Sequence, residues 1–492
     1  MKLHLRGDRK CRVIVAILLA TLAMVWTPSR VPGQEAPENP AERRAREFVE
    51  VVNSGDTNRM RQFVQEVFSK GFLEAIPPEE HVRILTMTYQ QEGGFDIRRV
   101  SAPGPNAADV IVQGRRTKEW SRMNLRVEDT PPYRIAGIGI MPTTAIALEY
   151  PDRPLSDDEM VAFLKRVLDS AAAQGQFSGA VLVAKNGQPI FKAAYGLASR
   201  RYNVPNQVDT KFNLGSMNKM FTAVAIAQLA EQGKLSFSDP IGKYLTGWVS
   251  DSIGRKVTIQ NLLTHTSGLG SYFNEKFMKS SRELYRKVDD YKSLVADEKL
   301  AFEPGTKWQY SNTGFLLLGA IVEKASGQDY FDYIREHVYK PAGMSNSDCY
   351  DMDDPVPNLA MGYTKSDGKW KNNIFMHVIR GGPAGGGFST VEDLLAFANA
   401  LMGNKLLKPE MTRLLTTAKP ELHSPNYGFG FGVEENPHSI GHSGGFPGIS
   451  SNLSIFPDSG FTVAVMSNTD GGSVEVANLF RHMLNLRAKR QT

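Results

Sequence analysis

Apolar residues recur at helical spacing along the chain between about residue 40 and residue 92. This spacing predicts three amphipathic helices. Their apolar positions are Phe48, Val49 and Val52, then Met60, Phe63, Val64 and Val67, and last Val82, Leu85 and Tyr89. The pattern then changes to strand-like segments at residues 95–100, 109–113, 121–127 and 133–140. Helices followed by strands predict a small α+β domain over residues 44–150.

This order of elements resembles the cone-shaped fold of the nuclear-transport-factor-2-like (SnoaL-like) superfamily. The resemblance implies a curved sheet whose concave face is either a ligand pocket or an interaction surface. Both possibilities stay open, because no residue motif in this region favours one of them.

The rest of the chain follows a proline-containing linker at residues 151–154 and has strand signals near both of its ends. A helix is predicted over residues 157–173, and Asn186-Gly187 between two apolar runs predicts a β-hairpin over residues 180–195. A second hairpin is predicted over residues 453–466 and a closing helix over residues 474–484, with a mainly helical middle. Together these signals predict a mixed α/β (α+β) domain over residues 151–492, with an antiparallel sheet assembled from distant segments.

The first 33 residues have the pattern of a secretory signal peptide. A basic segment precedes an apolar run at residues 13–26, which is too short to span a bilayer comfortably. Cleavage is predicted near Gly33, followed by a linker over residues 34–43. The protein is therefore expected to be exported, either periplasmic or secreted. The alternative is an uncleaved signal anchor, which would be its only connection to a membrane.

The signal peptide also accounts for the net charge. The whole chain has 57 lysines and arginines against 52 aspartates and glutamates, a formal net charge of +5. Cleavage after Gly33 would remove six basic residues and one acidic residue, leaving 51 of each sign. The sequence shows no clustered basic stripe with interleaved aromatic residues, so a nucleic-acid partner is not expected.

Metal and disulfide chemistry have little support in the sequence. Cys-x-x-Cys, His-Glu-x-x-His and calcium-loop spacings do not occur, so neither a metal nor another cofactor is expected. Of the two cysteines, Cys11 lies in the signal peptide, which leaves Cys349 without a partner. Cys349 is expected to be a packing residue.

The first candidate for catalysis is Ser216, just before a helix predicted over residues 221–232. Lys219, three residues later, is expected on the same face. A partly desolvated neutral lysine can take the proton of a serine hydroxyl, and a helix N-terminus supplies N–H groups where an oxyanion forms. A second Ser-x-x-Lys match, Ser366 to Lys369, lies in a polar turn with no helix behind it and is set aside.

A second candidate group is Tyr310 with Asn312, just before an apolar helix predicted over residues 315–324. The phenol can transfer protons, and the amide can hold a substrate carbonyl or amide. A half-buried core tyrosine is the alternative interpretation of Tyr310. The similar run at Tyr272 is interpreted as a solvated surface segment, because it follows a glycine-rich loop and precedes a charged stretch.

A third candidate group is the run His442-Ser443-Gly444-Gly445, which precedes a strand predicted over residues 451–456. Successive glycines let a substrate lie along a strand edge, and a free N–H there can complete an oxyanion hole. The run Gly441 to Gly445 also matches Gly-x-Ser-x-Gly, the nucleophile elbow of α/β-hydrolases. That alternative is disfavoured, because an elbow needs a helix after the serine and a proline and a strand follow here.

With these three groups in this order, residues 155–486 resemble the class C β-lactamase-related serine hydrolases of the β-lactamase/penicillin-binding-protein-like fold. Further similar segments are residues 257–269, 341–344 and 385–390. The resemblance implies a central antiparallel sheet beside a helical domain, as in β-lactamases and transpeptidases. It implies Ser216 as acylated nucleophile, Lys219 as its activating partner and Tyr310 as proton shuttle. It implies that the substrate is bound by Asn312, His442, Ser443, Gly444 and Gly445, with an oxyanion hole made by the N–H groups of Ser216 and Gly445.

His442 departs from the family pattern, in which a lysine stands at this position. Lysine is cationic at pH 7, whereas an unperturbed histidine is mostly neutral, so this position offers less positive charge to a β-lactam carboxylate than the family's lysine does. The sequence therefore predicts an ester, an amide or a D-amino-acid peptide as the small-molecule or peptide substrate. The alternatives are a β-lactamase or DD-carboxypeptidase proper, and a non-catalytic penicillin-recognising or scaffold protein. The oligomeric state stays open.

Overall fold

The computed structural model describes residues 39–366 and 368–488. The predicted signal peptide and the first part of the predicted linker, residues 34–38, lie outside the described residues. Within those residues, no helix combines the length and the apolar character that a membrane span requires. The described residues form two compact units, which divide between Leu148 and Glu149, and each has its own apolar core.

The described part of the first unit is a set of helices followed by an antiparallel meander in the order β1-β2-β3-β4. The elements are α1 (Pro40–Ser54), α2 (Thr57–Val67), α3 (Lys70–Ala75), α4 (Pro78–Glu92), β1 (Phe95–Gly104), β2 (Ala107–Gly114), β3 (Trp120–Val127) and β4 (Ile135–Pro142). Helix α1 packs across β1, β2 and β3 and buries Phe48 and Val52. The three helices and four strands expected from the sequence are present. Helix α3 was not expected, because its six residues are too few to show a helical period.

The second unit contains the larger sheet. The strands of the whole second unit are β5 (Gly179–Lys185), β6 (Gln188–Tyr195), β7 (Leu197–Ser199), β8 (Val204–Pro205), β9 (Phe212–Asn213), β10 (Tyr363–Ser366), β11 (Lys369–Asn372), β12 (Phe388–Ser389), β13 (Gly432–Glu435), β14 (His438–Phe446), β15 (Ile449–Phe456) and β16 (Phe461–Ser467). The six-stranded sheet has the order β13-β14-β15-β16-β5-β6. Strand β16 pairs antiparallel with β5, with Val463 opposite Val183. The prediction of an antiparallel sheet assembled from distant segments is confirmed.

Helices cover the sheet and form a second layer beside it. They are α5 (Asp157–Ala173), α6 (Asn218–Glu231), α7 (Asp251–Lys256), α8 (Ile259–Leu263), α9 (Glu275–Lys279), α10 (Lys292–Val295), α11 (Asn312–Ser326), α12 (Tyr330–Ile334), α13 (Lys340–Ala342), α14 (Val391–Met402), α15 (Pro409–Thr416) and α16 (Gly472–Ala488). Strand β16 is buried along its whole length, because both α14 and α16 pack against it. Helix α6 is buried on nearly every side and packs against α11. A helix without a polar face belongs in a core, so the polar side chains in its first turns, such as Lys219, lie in a dry environment.

The structure corrects one interpretation from the sequence and clarifies another. Tyr272 is not on a solvated surface: it is buried, and its ring packs against Phe273 and Tyr291. Aromatic packing from distant segments, which local composition does not reveal, covers it. The second Ser-x-x-Lys match spans the hairpin of β10 and β11, where Ser366 and Lys369 are paired across the two strands.

Candidate active site

Ser216 lies between the short strand β9 and the start of helix α6. It belongs to a 3-10 turn, Gly215–Met217, which leads directly into α6. Gly215 has φ of +51°, and a Cβ atom there would lie 2.9 Å from the backbone nitrogen of Gly445. A Cβ on Gly444 would lie 1.9 Å from the carbonyl oxygen of Leu214. This approach of two backbones needs glycine on both sides, and it brings Gly445 beside the Ser216 turn.

Lys219 lies at the centre of the site, with its amine close to Ser216, Asn312 and Ala384. Its side chain is completely buried. Its Nζ lies 3.1 Å from Ser216 Oγ, 2.9 Å from Asn312 Oδ1 and 2.5 Å from the carbonyl oxygen of Ala384. Burial lowers the pKa of Lys219 well below its ordinary value, because the charged ammonium loses its hydration.

The hydrogen-bond geometry around Lys219 suits a neutral amine. The oxygens of Asn312 and Ala384 belong to carbonyl groups and can only accept hydrogen bonds, whereas the Ser216 hydroxyl can also donate. A neutral amine has two hydrogens and one lone pair. It can therefore donate to both carbonyl oxygens and turn its lone pair toward the hydroxyl hydrogen of Ser216.

Tyr310 lies over this amine and is partly open to solvent. Its ring centroid is 4.8 Å from Lys219 Nζ, and the residue is 36% exposed. Desolvation raises the pKa of the Tyr310 phenol, and a hydrogen bond with Ser216 partly opposes that rise. The phenol therefore keeps its proton at neutral pH and is available as a donor.

Asn312 begins α11 and is held on both sides of its amide. Its Oδ1 accepts from Lys219, and its Nδ2 donates to Ser271 Oγ at 3.2 Å. The preceding residue, Ser311, caps the helix, because its Oγ accepts from the backbone N–H of Gly314 at 2.8 Å. The cap fixes where the helix starts and so fixes the position of Asn312.

His442 lies on β14 as a neutral imidazole. Its Nδ1 is 2.5 Å from the carbonyl oxygen of Ser443, which can only accept, so Nδ1 carries the proton. Its Nε2, 2.9 Å from the Tyr427 hydroxyl, then accepts from that hydroxyl. Burial and, to a smaller extent, the nearby Lys219 lower the pKa of His442 to about 3. This histidine supplies no positive charge at pH 7.

The rest of the His442–Gly445 run forms an accessible strand edge. Strand β13 pairs with β14 only as far as Gly441, and β14 continues to Phe446 along β15. Ser443 and Gly445 are exposed, whereas Gly444 is buried against the Ser216 turn. Ser443 lies within the strand, opposite Asn452. A nucleophile elbow requires a turn into a helix at the serine, so that alternative does not fit.

The sequence interpretation did not assign roles to two residues that complete the site. Tyr427 donates to His442, and the ring of His265 lies 4.3 Å from the ring of Tyr310 and 4.8 Å from that of Tyr427. His265 falls within residues 257–269, which had been noted only for their family resemblance. The alternation of glycine and aromatic residues over residues 427–432 was the available signal for Tyr427.

The described part of the chain offers neither a metal-binding cluster nor a reactive thiol. There, no group of three or more histidine, cysteine, aspartate or glutamate residues is arranged to hold a metal ion. Cys349 is buried, and Asn218 Nδ2 lies 3.4 Å from its Sγ. Burial raises the pKa of the Cys349 thiol to about 12, so the thiol stays protonated at neutral pH.

Comparisons with known proteins agree with this arrangement. The Beta-lactamase family matches residues 164–487. The chain is 30% identical over 335 residues to Penicillin-binding protein 4* of Bacillus subtilis (strain 168), a match that covers 62% of this chain and 71% of that protein. The chain belongs to the Beta-lactamase family and is a serine hydrolase of the β-lactamase/transpeptidase-like fold.

Solved structures show the same fold. The crystal structure of a penicillin binding protein from Bacillus halodurans aligns with a TM-score of 0.59 and 34% identity, over 64% of this chain and 98% of that one. A D-stereospecific amidohydrolase from Streptomyces sp. aligns with a TM-score of 0.54 and 28% identity, over 65% of this chain and 97% of that one. The predicted fold class, an antiparallel sheet with a helical domain, is confirmed.

Proposed function

We propose that this chain is an exported serine hydrolase that forms an acyl-enzyme on Ser216 and acts on an ester, an amide or a D-amino-acid peptide. The observation that carries the proposal is the Lys219 amine. It is fully buried, and it lies within hydrogen-bond distance of Ser216 Oγ and of two carbonyl oxygens. Burial favours the neutral form of this lysine, and a neutral amine beside a serine hydroxyl is a base beside a nucleophile.

In the acylation step, the Lys219 lone pair takes the hydroxyl proton as Ser216 Oγ attacks the carbonyl carbon of the substrate. The carbonyl electrons move to the oxygen, and the N–H groups of Ser216 and Gly445 stabilise the resulting oxyanion. The Tyr310 phenol gives its proton to the leaving group as the carbon–heteroatom bond breaks, and it regains a proton from Lys219. The hydrogen bond between the Tyr310 phenol and Ser216 supports this role, because it places the phenol at the reacting serine.

In the deacylation step, a water molecule replaces the leaving group. The water proton passes through the Tyr310 hydroxyl to the neutral Lys219 amine as the water oxygen attacks the acyl carbon. The bond between the acyl carbon and Ser216 Oγ then breaks, and Lys219 returns that proton to Ser216 Oγ. The same groups therefore serve both halves of the reaction, in opposite directions.

The substrate class follows from His442. Its hydrogen bonds with the Ser443 carbonyl and the Tyr427 hydroxyl are those of a neutral imidazole, so this position offers no cation to a substrate carboxylate. The exposed edge of β14 at Ser443 and Gly445 suits an extended acyl group that pairs with the strand backbone. The similarity to a D-stereospecific amidohydrolase supports amides among the candidates.

Export and domain organisation complete the proposal. The basic segment and short apolar run within residues 1–33 support a cleaved signal peptide, and so a periplasmic or secreted enzyme. The two compact units support a small α+β domain, predicted over residues 44–150, and a hydrolase domain, predicted over residues 151–492, although the division falls between Leu148 and Glu149. The linker predicted over residues 34–43 would end earlier than predicted, because helix α1 begins at Pro40. We assign the smaller domain to the nuclear-transport-factor-2-like superfamily on its helix-then-meander order.

The experiment is a substrate panel on the mature protein with two matched serine variants. p-Nitrophenyl esters, D-amino-acid amides, D-Ala-D-Ala peptides and nitrocefin are compared for the wild type, Ser216→Ala and Ser443→Ala. We expect turnover of an ester, amide or D-peptide that Ser216→Ala abolishes and Ser443→Ala retains. Turnover of nitrocefin alone would make the enzyme a β-lactamase proper, and no turnover with no labelling by a fluorophosphonate would favour a non-catalytic protein.

A further inference from the structure

His265 has an unusual backbone for a buried core residue. It is completely buried in the loop after α8, and its φ is +61°. Residues other than glycine rarely adopt this left-handed conformation, because it crowds the side chain against the backbone. A residue stays in such a conformation only where the surrounding contacts hold it there, so the contacts of His265 indicate its role.

His265 contacts Tyr310 itself and the residue on each side of it. The carbonyl oxygen of His265 accepts from the backbone N–H of Gln309 at 2.8 Å. The Nδ1 atom of the same residue accepts from the backbone N–H of Ser311 at 3.1 Å. Between these two hydrogen bonds, the imidazole ring lies 4.3 Å from the Tyr310 ring, at an interplanar angle of 37°.

The left-handed conformation explains how one residue makes all three contacts. Its main-chain oxygen and its ring nitrogen both reach the 309–311 segment, with one residue between the two points of attachment. The two hydrogen bonds hold the backbone on either side of Tyr310, and the ring contact limits how the phenol side chain can rotate.

The acceptor role of Nδ1 requires a neutral imidazole. A protonated imidazole has a hydrogen on both nitrogens and would lose the hydrogen bond from Ser311. Burial lowers the pKa of His265, and the neighbouring Lys219 and His442 lower it further. The environment of His265 therefore favours the neutral imidazole that this hydrogen bond requires.

We propose that His265 is a positioning residue that holds Tyr310 in the geometry for proton transfer, through the two backbone hydrogen bonds and the ring contact. This inference rests on the proposed role of Tyr310 as the group that moves protons between Ser216 and the leaving group. His265 acts through Tyr310, so its removal affects the catalytic step and leaves substrate binding intact.

The test uses two variants that each keep part of the contact set. Asparagine adopts positive φ more readily than other residues and retains a side-chain acceptor, so His265→Asn removes the ring contact. His265→Phe keeps a ring against Tyr310 and removes the acceptor for Ser311. The matched control is His482→Asn, because His482 also stacks on a tyrosine, Tyr150, at 4.7 Å and contacts the backbone oxygen of Pro151 at 2.9 Å.

Rates are measured per active site, with the sites counted by fluorophosphonate titration so that misfolded protein does not contribute. We expect both His265 variants to lower kcat by 10- to 100-fold with KM unchanged, part of the about 10²- to 10⁴-fold that a proton-transfer group supplies. We expect the double variant His265→Asn/Tyr310→Phe to be no slower than Tyr310→Phe alone, because both changes disable one unit. The control should keep the wild-type kcat.

Two outcomes would overturn the inference while leaving the proposed function intact. One is an additive loss in the double variant, and the other is an equal loss of kcat in His482→Asn. If Tyr310→Phe itself keeps the wild-type kcat, the assigned role of Tyr310 fails, and the positioning role of His265 fails with it.

Discussion

The two walls of the site differ in how they are held. The helical wall, formed by Ser216, Lys219, Tyr310 and Asn312, is centred on a fully buried amine with three close oxygen partners. The strand wall, formed by residues 442–445 of β14, has Ser443 and Gly445 exposed to solvent. Packing and hydrogen bonds thus fix the groups proposed to react, whereas the groups proposed to recognise substrate face an open edge. Substitutions on the helical wall should change rates, and those on the strand wall that leave its contact with the Ser216 turn intact should change substrate binding or preference.

The largest effect is expected at the centre of the helical wall. Lys219→Met keeps an unbranched chain of similar length but removes the base, so we expect kcat/KM to fall by about 10³-fold or more, in the range of lost proton-transfer groups. Steady-state hydrolysis of the best substrate measures the change. Lys243→Met is the control, because Lys243 is an exposed lysine paired with Asp239 at 2.9 Å and should keep wild-type activity.

A fall of only a few-fold in Lys219→Met would contradict the comparison of the two walls. It would mean that the buried amine has a packing role and that another group takes the serine proton.

A second test separates the two glycines where the walls meet. A Cβ on Gly444 would overlap the Leu214 carbonyl, whereas a Cβ on Gly445 would have no atom within 4 Å. We expect Gly444→Ala to lower the free energy of unfolding by about 1–3 kcal/mol. It should also displace the Ser216 turn, with a rate loss of about 10²-fold. Gly445→Ala should keep wild-type stability in urea denaturation and raise KM.

Equal stability of the two alanine variants would contradict the close approach of β14 to the Ser216 turn. That approach is what places the Gly445 N–H where the oxyanion would form.

A third test adds charge to the strand wall. His442→Lys introduces the cation that the neutral imidazole lacks, and a hydrogen bond to a charged group contributes about 1.5–3 kcal/mol. We expect the ratio of kcat/KM for substrates with a carboxylate, such as D-Ala-D-Ala peptides, to that for neutral esters to rise about tenfold or more. An unchanged ratio in parallel assays would show that this position does not face the substrate carboxylate.

The smallest expected effect concerns pH. Activity requires neutral Lys219, so kcat/KM should fall on the acid side as Lys219 takes up a proton, at a pH well below the ordinary lysine pKa of 10.5. The folded state also disfavours the charged amine. The contribution of Lys219 to the free energy of unfolding should therefore increase as pH rises from the lowered pKa of the folded state to 10.5. Burial lowers the pKa of His442 to about 3, so His442→Gln should leave the acid limb of the pH–rate profile in place.

Loss of that limb in His442→Gln would mean that His442, not Lys219, titrates in the catalytic pH range.

Local patterns in the sequence predicted the framework of the fold. Helix α5 has the predicted bounds, residues 157–173, because a Ser156–Glu159 capping box sets its start. The hairpin of β5 and β6 turns at Asn186-Gly187 as expected, since both residues adopt positive φ there. The Ser216–Lys219 part of the helical wall was also predictable, because the two residues are close in sequence and their spacing alone places them on one face.

Contacts between distant residues were not predictable from local patterns. The hydrogen bond between Tyr427 and His442 depends on a loop folding back beside β14, and that between His265 and Ser311 spans 46 positions. The burial of Tyr272 reflects the same limit, because its neighbour Tyr291 comes from a later segment. Chemistry carried by neighbouring residues can be inferred from sequence, whereas support that arrives from elsewhere in the chain requires the structure.

The most direct measurement is the site of covalent modification, mapped by peptide mass spectrometry after reaction with a fluorophosphonate. The account predicts one adduct per chain, on Ser216, formed much more slowly in Lys219→Met and at the wild-type rate in Ser443→Ala. An adduct on Ser443, or labelling of Ser216 at an unchanged rate without the lysine, would contradict the claim that a buried neutral Lys219 activates Ser216.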